Sequence, residues 1–271
     1  MNYREHNTMS QSTFKQPDGK LLRKKSMPYQ QLANIYNQVM RHVNYSHWAQ
    51  YIAAVIQKQG IAGERILDIG CGTGEFIFEI GKLGFPADGC DPSPSMLQIA
   101  QEKNSSRKFW LDRLPELVHT PSQHYPVVTC LYDTMNYLES DSAWLQTLLR
   151  VYELIPPEGL FIFDVVSEEF CRLYFHQVEE KEIINSSYAY VRESNYHKTR
   201  SEQVNQFTIY TPEGIFEEKH IQKIFPFSQI EQIITRNTPF EILDIYEDFT
   251  FFTAGKNSNR SHFILKKAGG R

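Results

Sequence analysis

The middle of the chain alternates short apolar runs with stretches of helical periodicity. Runs rich in β-branched and aromatic residues predict five strands, at 65–69, 86–90, 108–111, 126–131 and 160–166. The apolar spacing between them predicts helices at 75–83, 95–104 and 141–154. Runs such as 160–163 are too continuously apolar for a sheet with one face in water. The alternation therefore predicts an α/β fold in which helices cover both faces of a parallel sheet.

The pattern differs on both sides of this region. Residues 27–60 have a helical pattern that the segment 44–46 can interrupt. After residue 166, polar and aromatic residues interleave in three stretches, at 187–197, 202–210 and 215–225. These stretches predict about three antiparallel strands that project from the main domain. The last predicted elements of the core are a helix and two strands, near 228–236, 240–247 and 261–267.

Composition and charge exclude several classes of protein. Hydrophobic residues make up 41% of the 271, so the chain can bury a sizeable core and is not disordered as a whole. Lys and Arg number 28 against 32 Asp and Glu, which gives a net charge of -4. Such a surface has no general attraction for a phosphate backbone, although a local basic patch stays possible. No nucleic-acid partner is therefore expected.

Cysteine spacing and the N-terminal residues indicate the compartment. The four cysteines are far apart and form no CxxC pair, so buried free thiols are favoured over disulfides or a metal site. No apolar run approaches the roughly 20 residues that cross a bilayer, so no membrane partner is expected. Residues 1–26 are polar and lack the apolar core of a secretion signal. We expect a cytoplasmic protein with a flexible tail at 1–26.

A glycine-rich turn follows the first strand of the alternating region. Gly70, Gly72 and Gly74 are spaced two residues apart, after Asp68 and before a predicted helix. Glycine permits positive φ and lets the backbone approach a ligand closely, although an ordinary turn is the alternative. A dinucleotide fingerprint would place its third glycine at position 75, which is Glu75 here. A P-loop is excluded because no Gly-Lys-Ser/Thr follows.

This turn resembles motif I of the class I S-adenosylmethionine-dependent methyltransferases. The resemblance implies a Rossmann-like sheet of seven strands and S-adenosylmethionine as the cofactor. It implies that Asp91 holds both ribose hydroxyls, that Met96 packs on adenine and that Asp112 accepts from the adenine amino group. A helix-capping role is the alternative for Asp91, and a solvated turn carboxylate is the alternative for Asp112. The cofactor-binding residues that the family implies are Tyr36, Asp68, Gly70, Gly72, Gly74, Asp91, Pro92, Met96, Asp112, Arg113 and Tyr132.

The segment after the fourth strand, 130–138, indicates the substrate class. It lacks the Asn/Asp-Pro-Pro-Tyr/Phe sequence of nucleic-acid amino and protein glutamine methyltransferases, and the nucleophilic cysteine beside proline of RNA cytosine-C5 enzymes. Its Asp-Thr-x-Asn-Tyr-Leu sequence resembles the small-molecule branch of the family. The N-terminal lid helices of that branch are similar to the segment containing Tyr29 and Tyr36, where Asn37 replaces the usual Asp. The two tyrosines are expected to cap the cofactor, or else only to pack the helix onto the sheet.

The predicted antiparallel strands form an insertion between the fifth and sixth core strands. Glycine N-methyltransferase and the sugar-amine N-methyltransferases carry an antiparallel sheet over the active site at this point. The resemblance implies that its aromatic residues line an acceptor pocket, although packing between strands is the more frequent reason for such residues. The candidates are Tyr188, Tyr190, Tyr196, Tyr210, Phe216 and His220.

These observations predict a methyltransferase that transfers a methyl group from S-adenosylmethionine to nitrogen or oxygen of a small molecule. Asp133 and His220 are the candidate catalytic residues, because such an acceptor must lose a proton. A catalytically silent cofactor-binding regulator or scaffold, and a protein or tRNA methyltransferase, remain alternatives. The protein is expected to be a monomer or homodimer. The predicted units are the tail, lid helices at 27–60, a core at 61–167 and 226–271, and the inserted sheet at 168–225.

Overall fold

A computed structural model describes residues 23–61, 63–121 and 125–269. The first half has short 3-10 helices at Leu32–Ile35 and Thr134–Tyr137 and the elements β1 (Arg23–Lys25), α1 (Tyr36–Val39), α2 (Tyr45–Lys58), β2 (Ile66–Ile69), α3 (Glu75–Lys82), β3 (Ala87–Asp91), α4 (Pro94–Lys103), β4 (Phe109–Leu111) and β5 (Val127–Cys130). The second half consists of α5 (Asp141–Leu154), β6 (Leu160–Val166), α6 (Glu168–Tyr174), β7 (Val178–Ile183), β8 (Ala189–His197), β9 (Glu202–Thr211), β10 (Gly214–Lys223), α7 (Phe227–Asn237), β11 (Phe240–Glu247) and β12 (Arg260–Lys267), with a 3-10 turn at Lys198–Arg200.

The main sheet has seven strands in the order β11-β12-β6-β5-β2-β3-β4. The strands β2 to β6 pair in parallel, and β12 is antiparallel to both β6 and β11. Every residue of β6 is buried, which is why its sequence is a continuous apolar run interrupted only by Asp164. The predicted Rossmann-like sheet of seven strands is confirmed.

Helix caps follow the carboxyl ends of the strands and align the helix starts with that edge of the sheet. Ser93, separated from β3 only by Pro92, accepts from the Met96 N–H at 3.3 Å and begins α4 with Pro94 in its first turn. Ser167, directly after β6, caps α6 by accepting from the Phe170 N–H at 3.1 Å. Ligands of such sheets bind beyond the carboxyl ends of the strands, so these turns border the expected site.

The inserted sheet differs from the prediction in size. It has five strands in the order β1-β10-β9-β8-β7, four of them antiparallel, whereas about three were predicted. The strand β7 was missed because its sequence, VEEKEI, carries charge on an exposed edge and has few apolar residues. The strand β1 pairs in parallel with β10, so the prediction of a flexible tail is wrong for Arg23–Lys25. The rest of that predicted tail, residues 1–22, lies outside the described residues.

The inserted sheet also lies closer to the core than predicted. Tyr190, Phe207 and Ile209 belong to the same buried cluster as Leu32 of the lid and Ile162 of β6. The sheet therefore folds over the carboxyl edge of the main sheet and does not project from it. Within the described residues, no helix combines the length and apolarity needed to cross a membrane.

The lid segment is less helical than predicted. Residues 27–31 form turns, and Tyr29 has a φ of 62°, a conformation that few residues other than glycine adopt. The chain is helical only from Leu32, and it leaves the helix between Val39 and Tyr45 before α2 begins. The predicted interruption at 44–46 is therefore found slightly earlier, and Asn44 caps the second helix by accepting from the His47 N–H at 2.9 Å.

Candidate active site

A cavity of about 790 Å³ lies between the carboxyl edge of the main sheet, the lid segment and the inserted sheet. Eleven of the thirteen predicted site residues line it: Tyr36, Gly70, Gly72, Asp91, Pro92, Met96, Asp112, Arg113, Tyr132, Asp133 and His220. The exceptions are Asp68, which lines an adjoining space of about 50 Å³, and Gly74. The structure therefore brings residues from distant segments of the chain to one concave site.

The glycines of the loop after β2 have different surroundings. A side chain at Gly74 would meet the Asn104 amide at 2.8 Å and the Ala100 methyl at 3.2 Å, so this position allows α3 and α4 to pack closely. A side chain at Gly72 would meet nothing within 4 Å, although its φ is +54°. Because Gly72 faces the cavity, the missing Cβ leaves room for a ligand beside exposed backbone.

Asp91 links the end of β3 to this loop. One carboxylate oxygen accepts from the Gly72 N–H at 3.0 Å and the other from the Ser93 N–H at 2.8 Å. A carboxylate offers about four lone-pair sites, so one site on each oxygen is left for a ligand. Burial raises the pKa of Asp91 to about 6, against the lowering effect of these two hydrogen bonds. At neutral pH the group is ionised and faces the cavity.

Asp68 lies beneath the same loop and is nearly fully buried. It accepts from the Thr129 hydroxyl at 2.7 Å, and burial raises its pKa to about 7. The adjoining space that it lines also includes Tyr36, Tyr45 and Trp48. This carboxyl is therefore placed below a small aromatic-walled space next to the glycine loop.

The structure gives Asp112 a different role from the predicted one. Its two oxygens accept from the N–H groups of Arg113, Val118 and His119 and from the Thr120 hydroxyl, at 2.8 to 3.1 Å. These four donors occupy the acceptor capacity of the carboxylate, so Asp112 organises its own loop and has no lone pair left for an adenine amino group. The alternative of a turn carboxylate is favoured, although the group is buried and not solvated.

The turn after β5 is held by residues that the sequence analysis missed. Tyr132 and Asp133 both have positive φ, 58° and 53°, which costs about 1–2 kcal/mol for each. Asp164, fully buried in β6, accepts from their N–H groups at 2.6 and 3.0 Å. Arg260 at the start of β12 pairs with Asp164. A lone carboxylate inside the apolar run of β6 is the signal that could have identified this support.

Asp133 is held in place by two partners at the cavity wall. Arg260 donates to one of its oxygens at 2.9 Å, and the Gln222 amide donates to the other at 2.6 Å. Burial raises the pKa of Asp133, although the Arg260 guanidinium opposes this shift. A carboxylate engaged in an ion pair on one oxygen and an amide hydrogen bond on the other is suited to orienting the turn.

The lid is anchored to the glycine loop by Asn37. Its amide donates to the Glu75 carboxylate at 2.8 Å, and its oxygen accepts from the Thr73 hydroxyl at 2.7 Å. An Asp at this position could not donate and would place a second negative charge beside Glu75. The rings of Tyr29 and Tyr36 meet edge to face, with centroids 5.9 Å apart, and both line the cavity. The two rings are therefore in contact, although Tyr29 lies in a turn and not in the helix that the sequence predicted.

The inserted sheet faces the cavity with mainly polar side chains. Of the six candidates proposed for this sheet, only His220 lines the cavity. Tyr190 and Tyr196 are packed in apolar clusters, so for these two the packing alternative is correct. The cavity-lining residues of this sheet that the sequence analysis missed are Arg192, Gln203, Asn205, Phe207 and Gln222. Alternation along the strands places them on one face, a relationship that the prediction could not use without the register.

Glu218 and His220 connect this sheet to the lid. The Glu218 side chain is fully buried and accepts from the N–H groups of Tyr29 and Leu32, at 2.8 and 3.1 Å. His220, one pleat further along β10, lies 3.4 Å from the Glu218 carboxylate and 3.3 Å from the Tyr137 hydroxyl. Backbone amides at the start of the lid therefore depend on a carboxylate supplied by the inserted sheet.

Comparison with known proteins gives the family. A methyltransferase domain family model matches residues 40–233. YqeM of Bacillus subtilis (strain 168), assigned to the methyltransferases, is 31% identical over 253 residues, which cover 89% of this chain and 98% of that protein. A crystal structure of an S-adenosylmethionine-dependent methyltransferase from Clostridium acetobutylicum superposes with a TM-score of 0.74 at 20% identity, over 88% of this chain and 98% of that one.

A third similarity covers almost the whole of both chains. The sugar N-methyltransferase KedS8 from Streptoalloteichus has a TM-score of 0.70 at 14% identity, over 97% of this chain and all of that one. At this identity the likeness concerns the fold. The family match and the relative in B. subtilis carry the classification, which agrees with the resemblance seen in the glycine loop. The chain belongs to the methyltransferase-domain family, and the predicted class I methyltransferase is confirmed in family and fold.

Proposed function

We propose that the protein transfers a methyl group from S-adenosylmethionine to a nitrogen or oxygen atom of a small molecule. The observation that carries this proposal is the single cavity that joins the glycine loop and Asp91 to the polar face of the inserted sheet. Its volume of about 790 Å³ falls within the roughly 300–1,000 Å³ of small-molecule sites. One end suits the methyl donor, and the other end suits its acceptor.

The residues present fit S-adenosylmethionine. The open space at Gly72 leaves room for a ligand beside the loop, and the two remaining acceptor sites of Asp91 suit a pair of ribose hydroxyls. Met96, 1% exposed, supplies an apolar wall for a flat ring. Asp68 and Tyr36 border the adjoining space next to the loop, where the ammonium group of the cofactor's methionine part would lie near the Asp68 carboxyl group. When bound, this cofactor supplies a methyl group on a sulfonium, which needs no activation by the protein.

The chain's own residues contribute by orientation and by exclusion of water. Tyr29, Tyr36 and Leu32 close the cavity from the lid side. Holding a nucleophile in line in a dry site lowers a barrier by about 7–11 kcal/mol relative to free reactants. The inserted sheet supplies the groups that hold the acceptor, and the hydrogen bonds of Glu218 keep lid and sheet together.

The polar face of the inserted sheet supports an acceptor that carries N–H or O–H groups. Gln203 is 2% exposed and lines the cavity, and its side-chain oxygen has no hydrogen-bond partner within the described part of the chain. Buried acceptors in proteins are almost always paired, so this oxygen favours a ligand donor. Amines and hydroxyl compounds provide such a donor. KedS8, which shares the fold, is itself named for methylation of a sugar nitrogen.

Of the two candidate catalytic residues, we favour His220 over Asp133. Asp133 is engaged by Arg260 and Gln222 and acts through the turn that it begins. His220 borders the cavity with an imidazole nitrogen next to a tyrosine hydroxyl. An imidazole nitrogen can take up a proton as a general base, which suits removal of a proton from the acceptor.

The test is formation of S-adenosylhomocysteine from S-adenosylmethionine on addition of separated cell-extract fractions. The low-molecular-weight fraction is expected to support turnover, and the protein and tRNA fractions are not. Turnover with protein or tRNA alone would replace the small-molecule assignment. Cofactor binding by calorimetry without turnover on any fraction would indicate the catalytically silent alternative.

A further inference from the structure

Three side chains that are far apart in the sequence form a hydrogen-bonded series at the cavity. The Tyr29 and Tyr137 hydroxyl oxygens are 2.6 Å apart, and the Tyr137 oxygen is 3.3 Å from Nδ1 of His220. All three residues line the cavity. The ring of Tyr29 also contacts that of His220 edge to face, with centroids 4.5 Å apart. These contacts fix the order of the hydrogen-bonded series as Tyr29, Tyr137 and His220.

Glu218 contacts Tyr29 and His220, the two ends of this hydrogen-bonded series, through one oxygen atom. Its Oε2 accepts from the Tyr29 N–H at 2.8 Å and lies 3.4 Å from Nε2 of His220. Its Oε1 accepts from the N–H groups of Gln31 and Leu32. Tyr29 has a left-handed backbone, and its carbonyl accepts from the Ser93 hydroxyl at 2.9 Å. Strained residues of this kind persist only where their surroundings fix them, and here Glu218 and Ser93 do so.

The carboxylate also sets the tautomer of His220. Nε2 makes no hydrogen bond within the described residues, but it lies 3.4 Å from the Glu218 carboxylate. Beside a carboxylate oxygen an N–H is electrostatically favoured over a lone pair, so Nε2 carries the proton. Nδ1 then has a free lone pair that faces Tyr137, so Tyr137 donates to His220 and accepts from Tyr29. Burial raises the pKa of both phenols, which therefore stay neutral and pass protons without becoming phenolates.

We propose that Tyr29, Tyr137 and His220 form a relay that takes the proton from the methyl acceptor, and that Glu218 is the positioning residue that orients it. This inference rests on the proposed methyl transfer. The proton of an acceptor N–H or O–H moves to the Tyr29 oxygen, that of Tyr29 moves to Tyr137, and that of Tyr137 moves to Nδ1 of His220. The freed lone pair bonds to the methyl carbon as the carbon–sulfur bond of the donor breaks. The imidazolium formed lies beside the Glu218 carboxylate.

The tautomer can be measured without knowing the acceptor. Nitrogen-15 NMR of the histidine rings distinguishes a protonated Nε2 from a protonated Nδ1, and the signals missing in His220→Gln identify His220 among the nine histidines. Buried His262, whose pKa burial lowers to about 3, stays neutral and serves as an internal reference. We expect neutral His220 to carry its proton on Nε2. A proton on Nδ1 would overturn the relay.

Glu218→Gln provides the second test. The amide oxygen of Gln must remain with the Gln31 and Leu32 N–H groups, so its NH₂ turns towards His220 and the Tyr29 N–H loses its acceptor. A donor at this place moves the ring proton to Nδ1, and the expected spectrum shows that change. Glu217→Gln is the matched control, because Glu217 is the neighbouring residue in β10 and pairs with Arg23 at the surface. An unchanged tautomer in folded Glu218→Gln would contradict the positioning role, and the wild-type spectrum decides if this variant does not fold.

Turnover distinguishes a failed relay from a failed function. With an amine or hydroxyl compound from the active extract fraction, Tyr137→Phe and His220→Gln are expected to lower kcat by about 10²-fold or more with little change in KM. Unchanged kcat in both variants, with wild-type turnover intact, would remove the relay and leave the methyltransferase assignment in place. Absence of cofactor binding in the wild type would remove the proposed function, whatever tautomer His220 has.

Discussion

Replacing Gly72 by valine tests whether the glycine loop holds the cofactor. Gly72 has a φ of +54° and open space at the position of a Cβ, which faces the cavity. Gly84 is a matched control, because it has a φ of +89° and equally open space but does not line the cavity. A side chain at either position requires a left-handed backbone, which costs about 1–2 kcal/mol or more of folding free energy. The two variants should therefore lose similar stability.

Their effects on binding should differ widely. The isopropyl group of Gly72→Val enters the cavity and occupies the space beside the loop and Asp91 that is open to a ligand. We expect the affinity for S-adenosylhomocysteine, measured by calorimetry, to fall at least about 100-fold, which is about 2.7 kcal/mol. Gly84→Val should bind as the wild type does. A Gly72→Val affinity within about threefold of wild type, or an equal loss in Gly84→Val, would show that the loop does not hold the cofactor.

Three further predictions concern Asp91, Arg260 and Tyr36. Asp91→Ala should weaken cofactor binding at least tenfold, since hydrogen bonds to a charged group contribute about 1.5–3 kcal/mol each. The wild-type affinity for the cofactor should fall as the pH drops through about 6, where Asp91 becomes protonated. The contribution of Asp91 to the stability of the free protein should rise over the same range, because its folded pKa lies above the unfolded value of 3.8. Calorimetry and denaturant unfolding across pH would show whether the two trends oppose each other. Arg260→Met should cost about 3–5 kcal/mol of unfolding free energy, because it leaves Asp164 buried without its cation. Arg23→Met breaks an exposed ion pair and should cost at most about 1 kcal/mol. Equal losses would contradict a stabilising role of the buried Arg260–Asp164 pair. Tyr36→Phe should lower cofactor affinity with little change in melting temperature; a silent Tyr36→Phe beside a Tyr36→Ala that loses about 3–5 kcal/mol would assign the ring to packing alone.

Local sequence patterns were sufficient for the main sheet. The strand at 160–166 and the helix at 141–154 have the bounds predicted from apolar periodicity, because burial on both faces leaves a continuous apolar run and an amphipathic helix leaves a clear period. The glycine loop could also be predicted from local sequence, since three alternating glycines between a strand and a helix are typical of a loop that approaches a ligand closely. By contrast, the edge strand β7 is charged and exposed, and it gave no apolar signal.

Long-range contacts account for what the sequence analysis missed at the site. Glu218 caps the start of the lid 187 residues earlier in the chain, and Arg260 reaches Asp133 across 127 residues. Neither residue has a local motif, because its role depends on the register of the inserted sheet and on the path of β12. The same reason applies to the aromatic candidates of that sheet. Alternation indicates which residues share a face, but only tertiary packing decides that Gln203 and His220 face the cavity while Tyr190 packs in the core.

In the proposed function, one cavity holds the methyl donor at the glycine loop and the acceptor at the inserted sheet. A crystal structure of the complex with S-adenosylhomocysteine would test this arrangement directly. We expect the ribose hydroxyls on the Asp91 carboxylate, the ligand backbone against Gly72, and the sulfur facing the side of the cavity lined by Gln203 and His220. A ligand bound elsewhere, or a sulfur separated from that polar face by protein, would contradict the proposed arrangement.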